Sequence, residues 1–292
     1  MTDHTARPRR SALYMPGSKP RALEKARGLP ADVLVLDLED AVTPAEKAAA
    51  RRTVAEAVRA RAYGRREVVI RVNGLDTQWG GDDLAAAAAC GPDAVLIPKV
   101  ENASQLADAE ARLERAGSPA LWAMIETPRG VLHAADIAGA SPRLACLVMG
   151  TNDLAAELRA VTTPDRAPLA AALQMTVLAA RAHGLAVLDG VHNAFRDFEG
   201  LRAECGQGRA LGFDGKTLIH PGQIGIANEV FGPTAEELET ARRHVDAFAE
   251  AEAEGQGVAV VDGRIVENLH VASARRLLAQ AEAIRAMEAE AG

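Results

Sequence analysis

The sequence predicts an α/β fold, a (β/α)8 TIM barrel with a C-terminal helix–hairpin–helix extension. Eight short apolar runs, rich in β-branched residues, end in Gly, Pro or acidic residues, which is typical of buried parallel strands. Ala-, Arg- and Glu-rich stretches of helical length separate most of these runs. After Ile219 the alternation stops, and a capped helix and a hairpin are predicted instead. The number and spacing of the strands favour a closed barrel.

The eight predicted strands are Ser11–Met15, Val33–Leu38, Val68–Val72, Ala94–Pro98, Leu121–Glu126, Leu144–Met149, Leu185–Leu188 and Lys216–Ile219. Helices are predicted at Ala45–Ala62, Asp82–Cys90, Ala103–Ala116 and Pro168–His183. The alternative is an open doubly wound sheet, which would usually carry a Gly-rich phosphate turn after its first strand. The sequence at that place, PGSKP, does not match G-x-G-x-x-G, so the barrel is preferred.

We assign residues 1–232 to a catalytic barrel domain and residues 233–292 to the extension. Thr234 and Glu237 have the spacing of a capping box, which predicts a helix start. Asp262-Gly263 predicts a tight hairpin turn, and a final helix is expected to begin near Asn268. A barrel does not need these residues to close. We therefore expect them to cover an active site, either that of the same chain or that of a neighbouring subunit.

Composition argues against nucleic acid and membrane as partners. The net charge is −7 and aromatic residues make up 3% of the chain, which gives little support to a nucleic-acid stacking surface. The basic cluster Arg7-Pro8-Arg9-Arg10 is expected to be a frayed tail. No run reaches the ~20 apolar residues of a membrane-spanning helix, and no signal peptide is recognised. Three cysteines without metal-ligand spacing are typical of a cytoplasmic protein.

Charged residues follow several predicted strands at the point where each strand ends. Glu126 ends the fifth strand and Asp153 follows the sixth, and two carboxylates without a His/Cys cluster favour Mg²⁺, or Mn²⁺, over Zn²⁺. Arg71 ends the third strand, where a guanidinium can bind a carboxylate through two hydrogen bonds. The peptide N–H groups around Gly150-Thr151-Asn152 should open a helix and could bind an anion.

Six motifs in order carry a resemblance to a known family. They are RSALYMPG at Arg10–Gly17, LDLEDAV at Leu36–Val42, RVNG at Arg71–Gly74, PKVE at Pro98–Glu101, IETPRG at Ile125–Gly130 and GTNDL at Gly150–Leu154. Together they resemble the citrate lyase β-subunit family, which includes malyl-CoA and citramalyl-CoA lyases within the HpcH/HpaI aldolase superfamily. The resemblance covers nearly the whole chain. It implies a Mg²⁺-dependent barrel, a trimer or hexamer of identical chains, that handles CoA thioesters and small 2-oxo acids.

The resemblance also implies roles for individual residues. Glu126 and Asp153 would ligate Mg²⁺, and Arg71 would bind the carboxylate of the oxo acid together with the Gly150-Thr151-Asn152 segment. The acids and the lysine expected to support these groups are Asp37, Glu39, Asp40, Lys99 and Glu101. Of these, Asp37 would orient Arg71, and we count it with Arg71 and Glu267 among the catalytic residues. Lys99 could instead be a Schiff-base nucleophile, although the nearby acids favour a charged pair. His192 and His220 also fall at strand ends.

One position departs from the family pattern. Stand-alone CoA lyases of the family carry roughly G-K-M-I-D near the C-terminus, and the Asp reaches the active site of an adjacent subunit. The matching stretch here is Gly263-Arg264-Ile265-Val266-Glu267, with Glu in place of Asp. A displacement of ~1 Å in a catalytic group can cost ~10²-fold in rate. Glu267 is therefore either a catalytic base in a changed position or an exposed residue of a hairpin.

The leading hypothesis is Mg²⁺-dependent cleavage of a 3-hydroxy-3-carboxyacyl-CoA thioester of the citryl-, malyl- or citramalyl-CoA type. The products would be acetyl-CoA and oxaloacetate, glyoxylate or pyruvate, or the reaction would run in reverse. Three alternatives remain open. They are a malyl-CoA-type thioesterase, a class II oxo-acid aldolase that does not use CoA, and a non-catalytic regulatory subunit.

Overall fold

The computed structural model describes residues 7–113 and 119–289. The chain divides into two compact units. Arg9–Phe231 form the larger unit, and residues 232–289 with residues 7 and 8 form the smaller one. No helix within the described ranges is long and apolar enough to cross a membrane.

The larger unit contains a closed barrel of eight parallel strands in sequential order, β1 to β8. The strands are β1 Ser11–Pro16, β2 Val33–Asp37, β3 Glu67–Arg71, β4 Ala94–Ile97, β5 Ala120–Ile125, β6 Leu144–Met149, β7 Ala186–Asp189 and β8 Gly215–Leu218. Each lies within one residue of its predicted bounds, and the predicted (β/α)8 barrel is confirmed.

Helices follow the strands and cover the outside of the barrel. They are α1 Pro20–Lys25, α2 Lys47–Arg59, α3 Gly80–Cys90, α4 Ala103–Arg112, α5 Pro128–Leu132, α6 Ala134–Ala138, α7 Thr151–Leu158, α8 Ala170–Ala182, α9 Phe198–Leu211 and α10 Ile224–Phe231. The predicted helix Ala103–Ala116 ends at Arg112 in the structure, and its last predicted residues, 114–116, lie outside the described residues. A 3-10 turn, not α-helix, opens each of the two helices predicted from Ala45 and Pro168.

Alternation along the strands decides which side chains reach the barrel mouth. Successive side chains of a strand point to opposite faces. Val33 and Val35 of β2 belong to the cluster inside the barrel, so Asp37 continues the same inward series. Trp122 and Met124 of β5 form the same inward series for Glu126, the residue that follows β5, and Val69 does so for Arg71 on β3. The parallel register places Asp37 directly beside Arg71. The sheet therefore delivers these charges to one end of the barrel.

The expectation that Arg7-Pro8-Arg9-Arg10 is a frayed tail is wrong for its last two residues. Arg9 donates two hydrogen bonds to the Glu67 carboxylate, at 2.6 and 2.9 Å, and lies over the Trp122 ring. Arg10 binds Asp32 with its side chain and its main-chain N–H. Both arginines are buried, and each guanidinium meets an acid at the N-terminal end of another strand, Glu67 at the start of β3 and Asp32 just before β2.

A buried ionic cluster lies between the barrel and α9. Asp189 at the end of β7 accepts hydrogen bonds from Arg166, at 2.7 and 2.8 Å, and from Lys216, at 3.0 Å. The Lys216 ammonium also contacts Glu204 of α9 at 2.5 Å. Burial alone would raise the pKa of Asp189, but Lys216 and Arg166 outweigh it and lower the pKa. The cluster ties the loop before α8 to two strands and a helix.

Replacing Asp189 with Asn should destabilise the protein strongly, because two buried cations lose their main counter-charge. We expect the free energy of unfolding at pH 7 to fall by about 3–5 kcal/mol. Since the folded-state pKa is lowered, the stabilisation is present above the unfolded pKa of about 3.9 and is lost as pH falls through the folded value. Guanidinium unfolding at several pH values measures this difference. Glu229→Gln, which breaks an exposed pair with Arg202, is the control and should leave the free energy of unfolding nearly unchanged, because water screens that pair. Equal losses in the two variants would contradict the interpretation.

The smaller unit consists of helix α11 Ala235–Ala253, a hairpin of β9 Ala259–Val261 and β10 Arg264–Val266, and helix α12 Asn268–Ala289. The capping box of Thr234 and Glu237 is present, with both reciprocal hydrogen bonds. Asp262 and Gly263 have positive φ angles of 50° and 74°, as a tight hairpin turn requires. Phe248, Val261, Val266 and Val271 lie in a separate small core, so this unit packs its own helices and hairpin.

Candidate active site

A cavity of about 300 Å³ lies at the C-terminal ends of the barrel strands. This is the end at which (β/α)8 enzymes place their active sites. The residues predicted for the site that line this cavity are Asp37, Asp40, Arg71, Glu126, Gly150, Thr151, Asn152 and Asp153. They come from β2, β3, β5 and the start of α7, so the fold brings together groups that are more than a hundred residues apart.

Arg71 is held by a network of acids. Its Nε and Nη2 donate to the two carboxylate oxygens of Asp37 at 2.7 and 2.6 Å. Asp37 is buried and accepts two further hydrogen bonds, from the main-chain N–H groups of Glu39 and Ala41. The paired edge of the guanidinium is therefore occupied by Asp37. The remaining nitrogen, Nη1, is the one that a substrate carboxylate could share.

Glu39 and Asp40 compete for that remaining nitrogen. Arg71 Nη1 lies 2.9 Å from Glu39 and 3.2 Å from Asp40. Burial raises the pKa of Glu39 to about 8, with Asp40 adding to the effect and Arg71 opposing it. Asp40 is largely exposed. A ligand anion would thus meet, around Nη1, an acid whose ionised form burial disfavours, Glu39, and an exposed acid, Asp40.

Glu126 lies deep in the cavity and is 2% exposed. One of its oxygens accepts a hydrogen bond of 2.8 Å from the main-chain N–H of Lys99, a residue with a left-handed φ of 50°. Burial raises the pKa of Glu126 to about 7, and the neighbouring Asp153 adds to this, while the Lys99 N–H opposes it. A buried carboxylate beside a second acid is stabilised by any cation that contacts both.

Lys99 lies at the edge of the cavity and pairs with Asp153. Its ammonium is 3.3 Å from the Asp153 carboxylate. Partial burial lowers the pKa of Lys99, but Asp153 and Glu126 outweigh it and raise the pKa. A Schiff-base nucleophile needs a neutral amine at working pH. The environment therefore favours the charged pair over the nucleophile.

The donor set fits a hard divalent cation. Glu126 and Asp153 offer carboxylate oxygens, and the second oxygen of Glu126 is not used by the Lys99 N–H. Among the described residues no group of three or more His, Cys, Asp or Glu side chains is arranged to hold a metal. Mg²⁺ commonly takes one or two protein carboxylates and completes its shell with water and substrate oxygens. Mg²⁺ therefore suits this pair better than a metal that demands four protein ligands.

Several residues predicted from the sequence do not line the cavity. Glu101 pairs at 3.7 Å with the exposed Arg129. His220 accepts a hydrogen bond from the Gly222 N–H and stacks on Phe195. His192 is bound to Glu204 at 2.8 Å, next to the buried ionic cluster. Glu267 belongs to the smaller unit, where its side chain is exposed and its N–H donates to His270 at the start of α12.

The structure also adds residues that the sequence did not single out. Tyr14, Asn193 and Thr217 line the same cavity. A second cavity of about 870 Å³ adjoins it and shares Thr151, Asn152, Val191 and Asn193. Tyr14 on β1 and Thr217 on β8 point into the barrel, and this inward position could have identified them as site residues from the sequence. Asn193 lies in a loop, and no periodic pattern marks it.

The close approach of Gly150 to Glu126 makes a testable prediction. A Cβ at position 150 would lie 2.4 Å from the Cβ and from one carboxylate oxygen of Glu126. Gly150→Ala must therefore displace Glu126. A displacement of ~1 Å is expected to lower activity about 10²-fold and to weaken the Mg²⁺-induced rise in melting temperature. Gly225→Ala on α10, where a Cβ would meet no atom within 4 Å, is the matched control and should change neither. Undiminished Mg²⁺ stabilisation of Gly150→Ala would rule out a metal site at Glu126.

The chain matches the model of a known protein family. The family model described as HpcH/HpaI aldolase/citrate lyase matches residues 10–221, which include the whole barrel. The chain belongs to the HpcH/HpaI aldolase/citrate lyase family. The resemblance inferred from the sequence motifs is confirmed.

Similar members of the HpcH/HpaI family carry different activities in their names. A (3S)-malyl-CoA thioesterase from Cereibacter sphaeroides is 59% identical, over 98% of this chain and 99% of its own. An L-malyl-CoA/β-methylmalyl-CoA lyase from the same species is 36% identical, over 96% of this chain and 97% of its own. CitE from Mycobacterium tuberculosis, solved with magnesium, acetoacetate and coenzyme A, is 32% identical. Its TM-score is 0.76, over 95% of this chain and 99% of CitE.

Proposed function

We propose that the protein is a Mg²⁺-dependent hydrolase of a malyl-CoA-type thioester. The observation that carries the proposal is the 59% identity, over nearly the full length of both chains, to a (3S)-malyl-CoA thioesterase. The cavity supports it, because a pair of carboxylates for a hard cation lies beside an arginine that can receive an organic acid. The leading hypothesis from the sequence, net carbon–carbon cleavage, is not confirmed. The thioesterase alternative matches this relative's name.

The residues of the barrel would bind and orient the acid end of the substrate. Glu126 and Asp153 would hold Mg²⁺, which supplies Lewis acidity and a template for the carboxylate and hydroxyl oxygens of the substrate. Arg71, fixed by Asp37, would present Nη1 to a substrate oxygen. The free N–H groups at the start of α7 would face developing negative charge.

Hydrolysis needs a water molecule and a base. The water oxygen adds to the thioester carbonyl carbon, the carbon–sulfur bond breaks, and the departing thiolate takes up a proton to give free CoA. We propose Glu267 as the base that removes the proton from water. Its longer side chain, in place of the Asp of the lyases, is consistent with activation of water in this chain.

Carbon–carbon cleavage is the second candidate function. The relative at 36% identity is named a malyl-CoA lyase, and the sequence motifs at the strand ends resemble those of lyases. Both reactions start from the same bound thioester, so the same cavity supports either. The products differ, because cleavage yields acetyl-CoA and glyoxylate, whereas hydrolysis yields malate and free CoA.

The deciding experiment incubates the purified protein with malyl-CoA and Mg²⁺ and follows all four products together. Malate and free CoA in equal amounts, with no glyoxylate, support the hydrolase. Acetyl-CoA and glyoxylate in equal amounts overturn it in favour of the lyase. Binding of oxo acid without turnover of any thioester would favour a regulatory subunit. Turnover of an oxo acid without CoA would favour a class II aldolase, in which case CoA should not raise the melting temperature.

A further inference from the structure

Tyr14 contributes a side chain to the cavity, although the motif that contains it gave this residue no role. On β1, Ala12 packs inside the barrel, and Tyr14, two residues on, packs against the same interior cluster. The residue is partly exposed and lines the cavity, and its hydroxyl oxygen is buried. The side chain therefore lies between the barrel interior and the cavity.

The Arg71 guanidinium packs on the Tyr14 ring and fixes its position. The Arg71 guanidinium carbon lies 4.7 Å from the centre of the ring, in the range of a cation–π contact. Asp37 in turn fixes that guanidinium with two hydrogen bonds. A ring clamped in this way holds its hydroxyl in one place.

The hydroxyl has no hydrogen-bond partner among the described residues. Buried tyrosine hydroxyls usually have one. Both oxygens of Asp37 already accept from Arg71 and from main-chain N–H groups, and one oxygen of Glu126 accepts from the Lys99 N–H. Burial raises the pKa of Tyr14 above its usual range, so the group remains a neutral donor at neutral pH.

We propose that the Tyr14 hydroxyl donates a hydrogen bond to an oxygen of the oxo- or hydroxy-acid end of the substrate. The inference rests on the proposed function, because it takes an organic acid as the ligand of this cavity. A carboxylate or carbonyl oxygen is the partner that a neutral donor beside Arg71 and Glu126 can serve. Tyr14 would then determine how tightly the acid is bound and how it is oriented, separately from the metal ligands.

Tyr14→Phe tests the proposal, because it removes the hydroxyl and retains a ring under Arg71. With Mg²⁺ present, the dissociation constant for oxaloacetate should rise about tenfold, as expected for one hydrogen bond to a charged group. Mg²⁺ binding alone and the melting temperature without ligand should not fall, since no hydrogen bond within the described protein is lost. Tyr63→Phe is the matched control. It removes a buried 3.2 Å hydrogen bond to the Leu23 carbonyl, so it should lower stability and leave oxaloacetate affinity unchanged. Equal oxaloacetate affinity in wild type and Tyr14→Phe would overturn the proposal.

The environment of Tyr14 can also be measured directly by NMR, because the chain contains few tyrosines. The chain has two tyrosines, so Tyr63→Phe leaves Tyr14 as its single tyrosine. In a sample labelled with ¹³C at the tyrosine ζ carbon, addition of oxaloacetate to the Mg²⁺-saturated protein should shift that one resonance. A resonance that does not respond to oxaloacetate would overturn the proposal, even if Tyr14→Phe failed to fold.

The proposed function and the role of Tyr14 can fail separately. A wild-type protein that hydrolyses no thioester overturns the proposed activity, while the oxaloacetate comparison still decides the role of Tyr14. A wild-type protein that hydrolyses malyl-CoA but binds no oxaloacetate with Mg²⁺ overturns the Tyr14 proposal alone. If both hold, kcat/KM for malyl-CoA should fall about tenfold in Tyr14→Phe and remain unchanged in Tyr63→Phe.

Discussion

Glu126→Gln is expected to lower the rate of thioester turnover about 10³-fold at fixed Mg²⁺, equivalent to about 4 kcal/mol of transition-state stabilisation. The amide keeps an oxygen that can accept the Lys99 N–H, so the local structure should persist. It loses the negative charge that, with Asp153, would hold the cation. Steady-state assays over a range of Mg²⁺ concentrations measure the effect, which should lessen as Mg²⁺ is raised.

The same substitution should not weaken the fold. Burial raises the pKa of Glu126 to about 7, so its ionised form is unfavourable in the folded protein above that pH. The melting temperature of Glu126→Gln without metal should therefore equal or exceed that of wild type at pH 8. Glu101→Gln is the matched control, because Glu101 follows the neighbouring strand but pairs with the exposed Arg129. Full Mg²⁺-dependent activity in Glu126→Gln would refute the metal assignment.

Glu267 is expected to give the second large effect. If it is the base, Glu267→Gln should lower kcat about 10²–10³-fold, within the range of general base catalysis. Glu250→Gln removes another exposed carboxylate of the smaller unit and should leave kcat unchanged. Glu267→Asp restores the residue of the lyases, and we expect acetyl-CoA and glyoxylate to increase among its products. A Glu267→Gln variant with wild-type kcat would show that the residue is only an exposed hairpin carboxylate.

The resemblance to lyases also implies that Glu267 acts on a neighbouring copy. Mixing inactive Glu126→Gln with inactive Glu267→Gln should then regain activity, because a mixed oligomer pairs an intact barrel with an intact extension. Mixed subunits that remain inactive after exchange would indicate that each chain serves its own site. Sedimentation of the same mixtures would test the expected trimer or hexamer, and a monomer would contradict that expectation.

The strands were predictable because local pattern decides them. Most of the parallel strands are buried on both faces and read as short apolar runs, and the charged residues that end β2 and β3 or follow β5 mark the barrel mouth. Arg9 and Arg10 were misread for the opposite reason. Nothing next to them in the sequence shows that Glu67 and Asp32 lie within reach, since those partners are 58 and 22 residues away.

The candidate site was predictable in its residue types but not in its pairing. The sequence shows acids and an arginine at strand ends, yet not that Asp37 occupies the paired edge of Arg71. Tyr14 was overlooked because an aromatic residue on a buried strand is normally part of the core. Its proposed role depends on a hydroxyl without a hydrogen-bond partner among the described residues, which only the three-dimensional structure reveals. Glu101 was included because of its motif, although its side chain turns outward to Arg129.

The surplus of acids around Arg71 has a kinetic consequence. The ionisable side chains that line or border the cavity are Asp37, Glu39, Asp40, Arg71, Lys99, Glu126 and Asp153, and burial disfavours the charged form of Glu39. Acids outnumber cations, and the single arginine is already engaged by Asp37. An anionic thioester is repelled from such a surface until a divalent ion has neutralised part of it. Binding should therefore be ordered, with the cation first and the acid second, and an organic anion without a cation should be a poor inhibitor.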